Sequence, residues 1–166
     1  MPNHAMHGKP FFARVMSELG ELYAWHNDVR VVYNREKNSH SIHIKDSRNN
    51  KKYDIYLGPK YPFYPPLKIF VNDAIYNDRS FKLTCPRFIP HLKHLSRHPL
   101  YSWYSIQQHS IMSVYNWSPA NKIVRIIDET YRISDFKKAI KLMVILESIK
   151  EKFRIPEEIP IIEYLI

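Results

Sequence analysis

Apolar residues at Phe12, Val15, Met16, Leu19, Leu22 and Tyr23 recur three and four positions apart, with Arg14, Ser17, Glu18 and Glu21 between them. That period puts them on one side of an α-helix and predicts an amphipathic first helix. Asn27-Asp28 interrupts it. From there the pattern shortens to partly alternating runs rich in β-branched and aromatic residues, at 29–33, 41–44, 53–57 and 67–71. Turn-forming stretches at 34–38, 46–52 and the proline-rich 58–66 separate them. Short connections of this kind predict a four-stranded antiparallel meander.

Between Asn72 and Tyr115, prolines, histidines and aromatics replace clear periodicity. A structureless loop of that length is uncommon inside a compact domain, so the segment is expected to fold back on the body as irregular chain with short helical turns. Ser118-Pro119 then has the form of a helix start, serine as N-cap and proline in the first turn, with Ile123, Ile126, Ile127 and Tyr131 as the buried face. A further helix is predicted from about Asp135 to Phe153. The order defines an α+β chain with helices segregated from an antiparallel sheet.

The chain has 166 residues and 45% apolar content, enough for one core, and is predicted as a single domain over 1–166. Residues 1–9 and 154–166 are expected to be flexible or partner-docking tails. No run reaches the length of a membrane span, so a soluble protein of the cytoplasm or nucleus is expected, with no membrane partner. Cys85 is the only cysteine, which excludes an intrachain disulfide and leaves one candidate nucleophile. The net charge of +9, from 25 basic and 16 acidic residues, favours acidic partners. The basic residues are scattered, with doublets only at Lys51-Lys52 and Lys137-Lys138, which predicts an evenly basic surface rather than a nucleic-acid groove.

Two motifs narrow the field. YPFYPP at Tyr61 to Pro66, between two strand-like runs, resembles the proline turn before the fourth strand of ubiquitin-conjugating enzymes. NWSPA at Asn116 to Ala120 resembles the tryptophan and serine-proline segment that precedes a helix in that family. The resemblance covers roughly Phe11 to Arg132 and implies the UBC-like fold, with ubiquitin or a ubiquitin-like protein, an activating enzyme and a ubiquitin ligase as partners. It also implies that Phe63, Pro119 and Ala120 face the ligase, and that Lys9 and Arg14 are available to an acidic activating enzyme.

For the chemistry, the resemblance implies a cysteine that carries the modifier as a thioester and an asparagine that supports the oxyanion formed on transfer. One alignment gives these roles to Cys85 and Asn77, with Lys82 and Arg87 near enough to favour a thiolate. The family's histidine-proline-asparagine tripeptide is missing there, Pro86 follows the cysteine, and extra residues separate Cys85 from Trp117. A second alignment takes His98-Pro99-Leu100 as a degenerate tripeptide and puts His109 at the nucleophile position, which implies an inactive binding or scaffold module. Cys85, His91, His94 and His98 are also of zinc-ligand type, but their spacing matches no standard zinc motif, so neither a metal nor a cofactor is expected.

Overall fold

The opening helical period becomes α1, Lys9–Trp25, in the computed structural model, which describes residues 9–25, 28–34, 39–47, 50–77, 80 and 109–153. The buried side of α1 consists of Phe11, Val15, Glu18, Leu19 and Leu22, while Phe12, Met16 and Tyr23 stay exposed. The apolar arc is wider than the area in contact, so periodicity placed three residues on the wrong side of its boundary. Position 18 carries a carboxylate into the interior.

Five strands follow: β1 Asp28–Asn34, β2 Ser39–Asp46, β3 Lys51–Leu57, β4 Lys68–Val71 and β5 Ala74–Tyr76, antiparallel in the order β1-β2-β3-β4-β5. The four expected strands are present, and the meander is extended by one. Asn72 and Asp73, at φ 49° and 63°, make a two-residue turn that pairs Val71 with Ala74. Positive φ at both central residues suits the right-handed twist of a hairpin, and Asn and Asp tolerate it well. Asn72 also bonds back to Lys52 of β3, accepting its amide on Oδ1 at 2.8 Å and donating its own amide to the Lys52 carbonyl at 2.9 Å.

One face of the sheet is the core, with Ile42, Ile44, Tyr53, Ile55, Leu57 and Ile69 buried beside the α1 residues. Phe11 lies 5.1 Å, ring to ring, from His40. The other face carries Arg30, Val32, Ser41, His43, Asp54, Tyr56, Lys68 and Phe70, brought side by side by the register.

The C-terminal part is one helix, α2, Ile123–Phe153, of 31 residues, rather than a helix from Ser118-Pro119 followed by another near Asp135. Neither glycine nor proline interrupts it. Its described residues fall in two compact units: Ile123 to Glu129 belongs with α1, the sheet and 109–122, and Thr130 to Phe153 belongs to a second. In the second, Ile133, Phe136, Ile140 and Met143 form the buried stripe at three- and four-residue spacing. Among the described residues, no helix is long and apolar enough to cross a membrane.

Candidate functional site

The two motifs meet. In the 58–67 turn the Gly58 carbonyl accepts the Tyr61 amide at 3.1 Å, the Lys60 carbonyl accepts the Tyr64 amide at 3.1 Å, and the Tyr61-Pro62 bond is cis. The indole Nε1 of Trp117 donates to the Pro62 carbonyl at 2.7 Å, and its ring lies 6.1 Å from that of Tyr61. Phe63, next along the turn, is 71% exposed. Ser118, Pro119 and Ala120 are exposed in a turn closed by the Asn121 amide on the Ser118 carbonyl at 2.8 Å. Trp117 thus ties together the loops that carry Phe63 and Pro119-Ala120.

Beneath these loops is a buried carboxylate. Glu18, 1% exposed, accepts Arg14 Nε at 2.5 Å, the Tyr61 hydroxyl, and the Ile123 amide at 2.9 Å. Arg14 also donates to the Asn121 carbonyl at 2.6 Å. α2 is therefore capped at Ile123 by a side chain from α1, which explains its start beyond the local Ser118 signal. Burial, together with the charge of Glu18 and its bond, pushes the Tyr61 phenol well above its ordinary value. Burial opposes the charge on Arg14, but the Glu18 contacts outweigh it and raise the guanidinium further.

Glu129 is a second buried tie. It accepts the Tyr76 hydroxyl at 2.6 Å, the Ser110 hydroxyl at 2.5 Å and the Ile111 amide at 2.7 Å, joining β5, the 109–113 segment and α2.

Of the residues predicted for chemistry, Asn77 lies just past β5. It accepts the Ser80 amide on Oδ1 at 3.1 Å and donates its own amide to Ser80 Oγ at 3.3 Å, so its side-chain oxygen is committed to a local turn. His109 is half-buried, its ring 5.4 Å from that of Tyr115 and its carbonyl accepting Asn116 Nδ2 at 2.7 Å. It therefore sits beside the tryptophan loop. Cys85, His91, His94 and His98 lie outside the described residues, as do Lys82, Arg87 and the 154–166 tail. Among the described residues, no group of three or more His, Cys, Asp or Glu side chains could hold a metal ion.

On the face of the sheet opposite the core, Ser41 Oγ lies 3.0 Å from His43 Nε2, and His43 Nδ1 lies 2.5 Å from Asp54 Oδ1. Lys52 Nζ reaches Asp54 Oδ2 at 3.0 Å. Burial acts against the Asp54 charge, but the bonds from His43 and Lys52 outweigh it and hold the carboxyl below the usual carboxylate range. The atom order matches a nucleophile–base–acid relay. β2, however, is paired on both sides, which commits the amides of Ser41 and His43 to the ladder and leaves no adjacent oxyanion donor from that strand. The three residues act as a cross-strand polar tie. They are visible as a unit only through the register, since Asp54 is eleven positions from His43. Glu18 and Glu129 escaped the sequence in a similar way: beyond Arg14, one turn from Glu18, nothing local marks the partners of either.

In comparisons with known proteins, the chain matches no family model, no curated protein and no solved structure.

Proposed function

We propose that the chain is a divergent ubiquitin-conjugating protein of the UBC-like fold, taking ubiquitin or a ubiquitin-like modifier from an activating enzyme as a thioester on Cys85 and delivering it to an amine beside a ubiquitin ligase. The observation that carries this reading is the bond from Trp117 to the Pro62 carbonyl, which unites the loops of the two motifs and leaves Phe63, Pro119 and Ala120 outward-facing. An exposed aromatic beside a rigid turn is a good interface anchor, because it buries large area with little loss of freedom. The segment order of helix, antiparallel meander, proline turn and tryptophan loop supports the same reading. Asn77 would serve the oxyanion through its amide nitrogen, since its oxygen holds Ser80. The setting is cytoplasmic or nuclear, with neither membrane nor nucleic acid as partner.

A second reading, a non-catalytic module that binds ubiquitin or scaffolds a complex, is favoured by the place of His109 beside the tryptophan loop. Incubation of the folded chain with activating enzyme, ubiquitin and ATP decides between them. The first reading expects a thiol-reducible adduct that disappears in Cys85→Ser, and ligase-stimulated discharge weakened about tenfold in Phe63→Ala. Partner binding that persists in Cys85→Ser, with no adduct in the wild type, would establish the second.

A further inference from the structure

The second half of α2 has two apolar sides. Ile133, Phe136, Ile140 and Met143 are buried, whereas Leu142, Ile145, Ile149 and Phe153 are 37%, 55%, 40% and 66% exposed. At about 3.6 residues per turn the four exposed side chains fall in one line on another side of the helix, about 17 Å long. Lys141 and Lys152 fall along one border of that line, Lys150 falls along the other, and Lys138 precedes it by a turn. Lys141 and Lys152 are exposed, and Lys138 donates to Asp135 at 3.1 Å.

The stretch that follows α2, which belongs to the same compact unit, has the complementary composition. Residues 154–166 carry Glu157, Glu158 and Glu163 against a single Arg154, among Ile159, Ile161, Ile162, Leu165 and Ile166. Pro156 and Pro160 oppose continuation of the helix, because each lacks an amide donor and disfavours helical backbone at the residue before it. A second copy of the line would bring lysine against lysine, whereas these glutamates offer the opposite charge. The lengths also match. Counted back from Pro156 at ~3.3 Å per extended residue, against ~1.5 Å per helical residue, Ile159 comes level with Ile145 and Ile149, Ile161 with Leu142, and Glu163 with Lys138 and Lys141.

We propose that residues 154–166 reverse at Pro156 and lie antiparallel to α2 as a strap over Leu142, Ile145, Ile149 and Phe153, with Glu163 beside Lys141. The strap takes the apolar line out of water, and its glutamates answer the lysines along the borders. Salt screens these ion pairs and leaves the apolar contact, so the strap loosens only in part as ionic strength rises. A partner that needs this side of α2 has to displace the strap first.

The test is zero-length carbodiimide crosslinking of the full chain at ~1 μM, dilute enough to disfavour contact between copies, with mass spectrometry of the monomer band. The expected product joins Glu163 to Lys141 or Lys138 within one chain. Ile145→Glu and, independently, Ile149→Glu lower its yield at least about tenfold with the circular dichroism spectrum unchanged, since each loses a covered isoleucine and sets a carboxylate against the strap. Val114→Glu, at an exposed turn position, leaves the yield intact. No such product in the monomer, or an equal yield in folded Ile145→Glu and Ile149→Glu, would overturn the proposal. So would a product found only between two chains, which would give the line on α2 to a second copy. These outcomes are independent of charging on Cys85.

Discussion

Glu18 gathers three donors from three parts of the chain: Arg14 one turn away, the Tyr61 hydroxyl in the proline turn, and the amide that begins α2. Removing it leaves the Tyr61 hydroxyl and the Ile123 amide unpaired in a buried setting, where each keeps its full desolvation cost, and leaves Arg14 with the Asn121 carbonyl but without its counter-charge. Glu18→Ala should therefore destabilise the fold by about 3 kcal/mol, the scale of breaking one side of a buried ion pair. The urea midpoint measures this, and Glu18→Gln should recover part of it, because its carbonyl still accepts. An unchanged midpoint in the alanine variant would mean that the carboxylate is not the tie described.

At the scale of elements, α1 is better at contact than at intrinsic stability. Gly20 sits inside the helix on its exposed side, and a Cβ built there meets nothing within 4 Å. Glycine in a helix interior costs about 1 kcal/mol relative to alanine, mostly in backbone freedom. Gly20→Ala should thus raise stability by that amount, read as a higher denaturant midpoint at constant slope; a lower midpoint would place an unseen constraint at this position. The other elements divide by where their signal lies. The strands of the meander were legible because alternation and turn residues are local. β5 was missed, since Asn72-Asp73 followed by three residues is too short a run to read as a turn and strand without β4 beside it. α2 was divided in two because Ser118-Pro119 and Asp135 look like starts, while the true start is set by Glu18 from a residue 105 positions away.

For the molecule as a whole, charge sets the response to acid. Asp54 keeps its carboxyl below the usual range, against burial, through His43 and Lys52. A depressed carboxylate adds stability that is fully present above its unfolded value, about pH 4, and lost as pH falls through the lower folded value. Asp54→Asn should then cost about 1 kcal/mol near neutrality, and the gap to the wild type should close towards pH 3. Denaturant midpoints of both proteins across pH 3–7 measure it; a gap constant with pH would exclude the charged bonds as its source.

What the sequence determined by itself was the α+β class, the first helix and the four-strand meander, because these depend on periods and turn residues within a few positions of one another; the outward placement of Phe63 and of Pro119-Ala120 was expected only from the resemblance. What tertiary structure decided was which α1 residues are buried, where α2 begins, and which polar groups meet. Glu18 joins Tyr61 and Ile123, Glu129 joins Tyr76 and Ser110, and Ser41, His43 and Asp54 align across two strands. A buried carboxylate is stable only with donors, and these come from chain segments whose nearness is a property of the folded register, which no local pattern encodes.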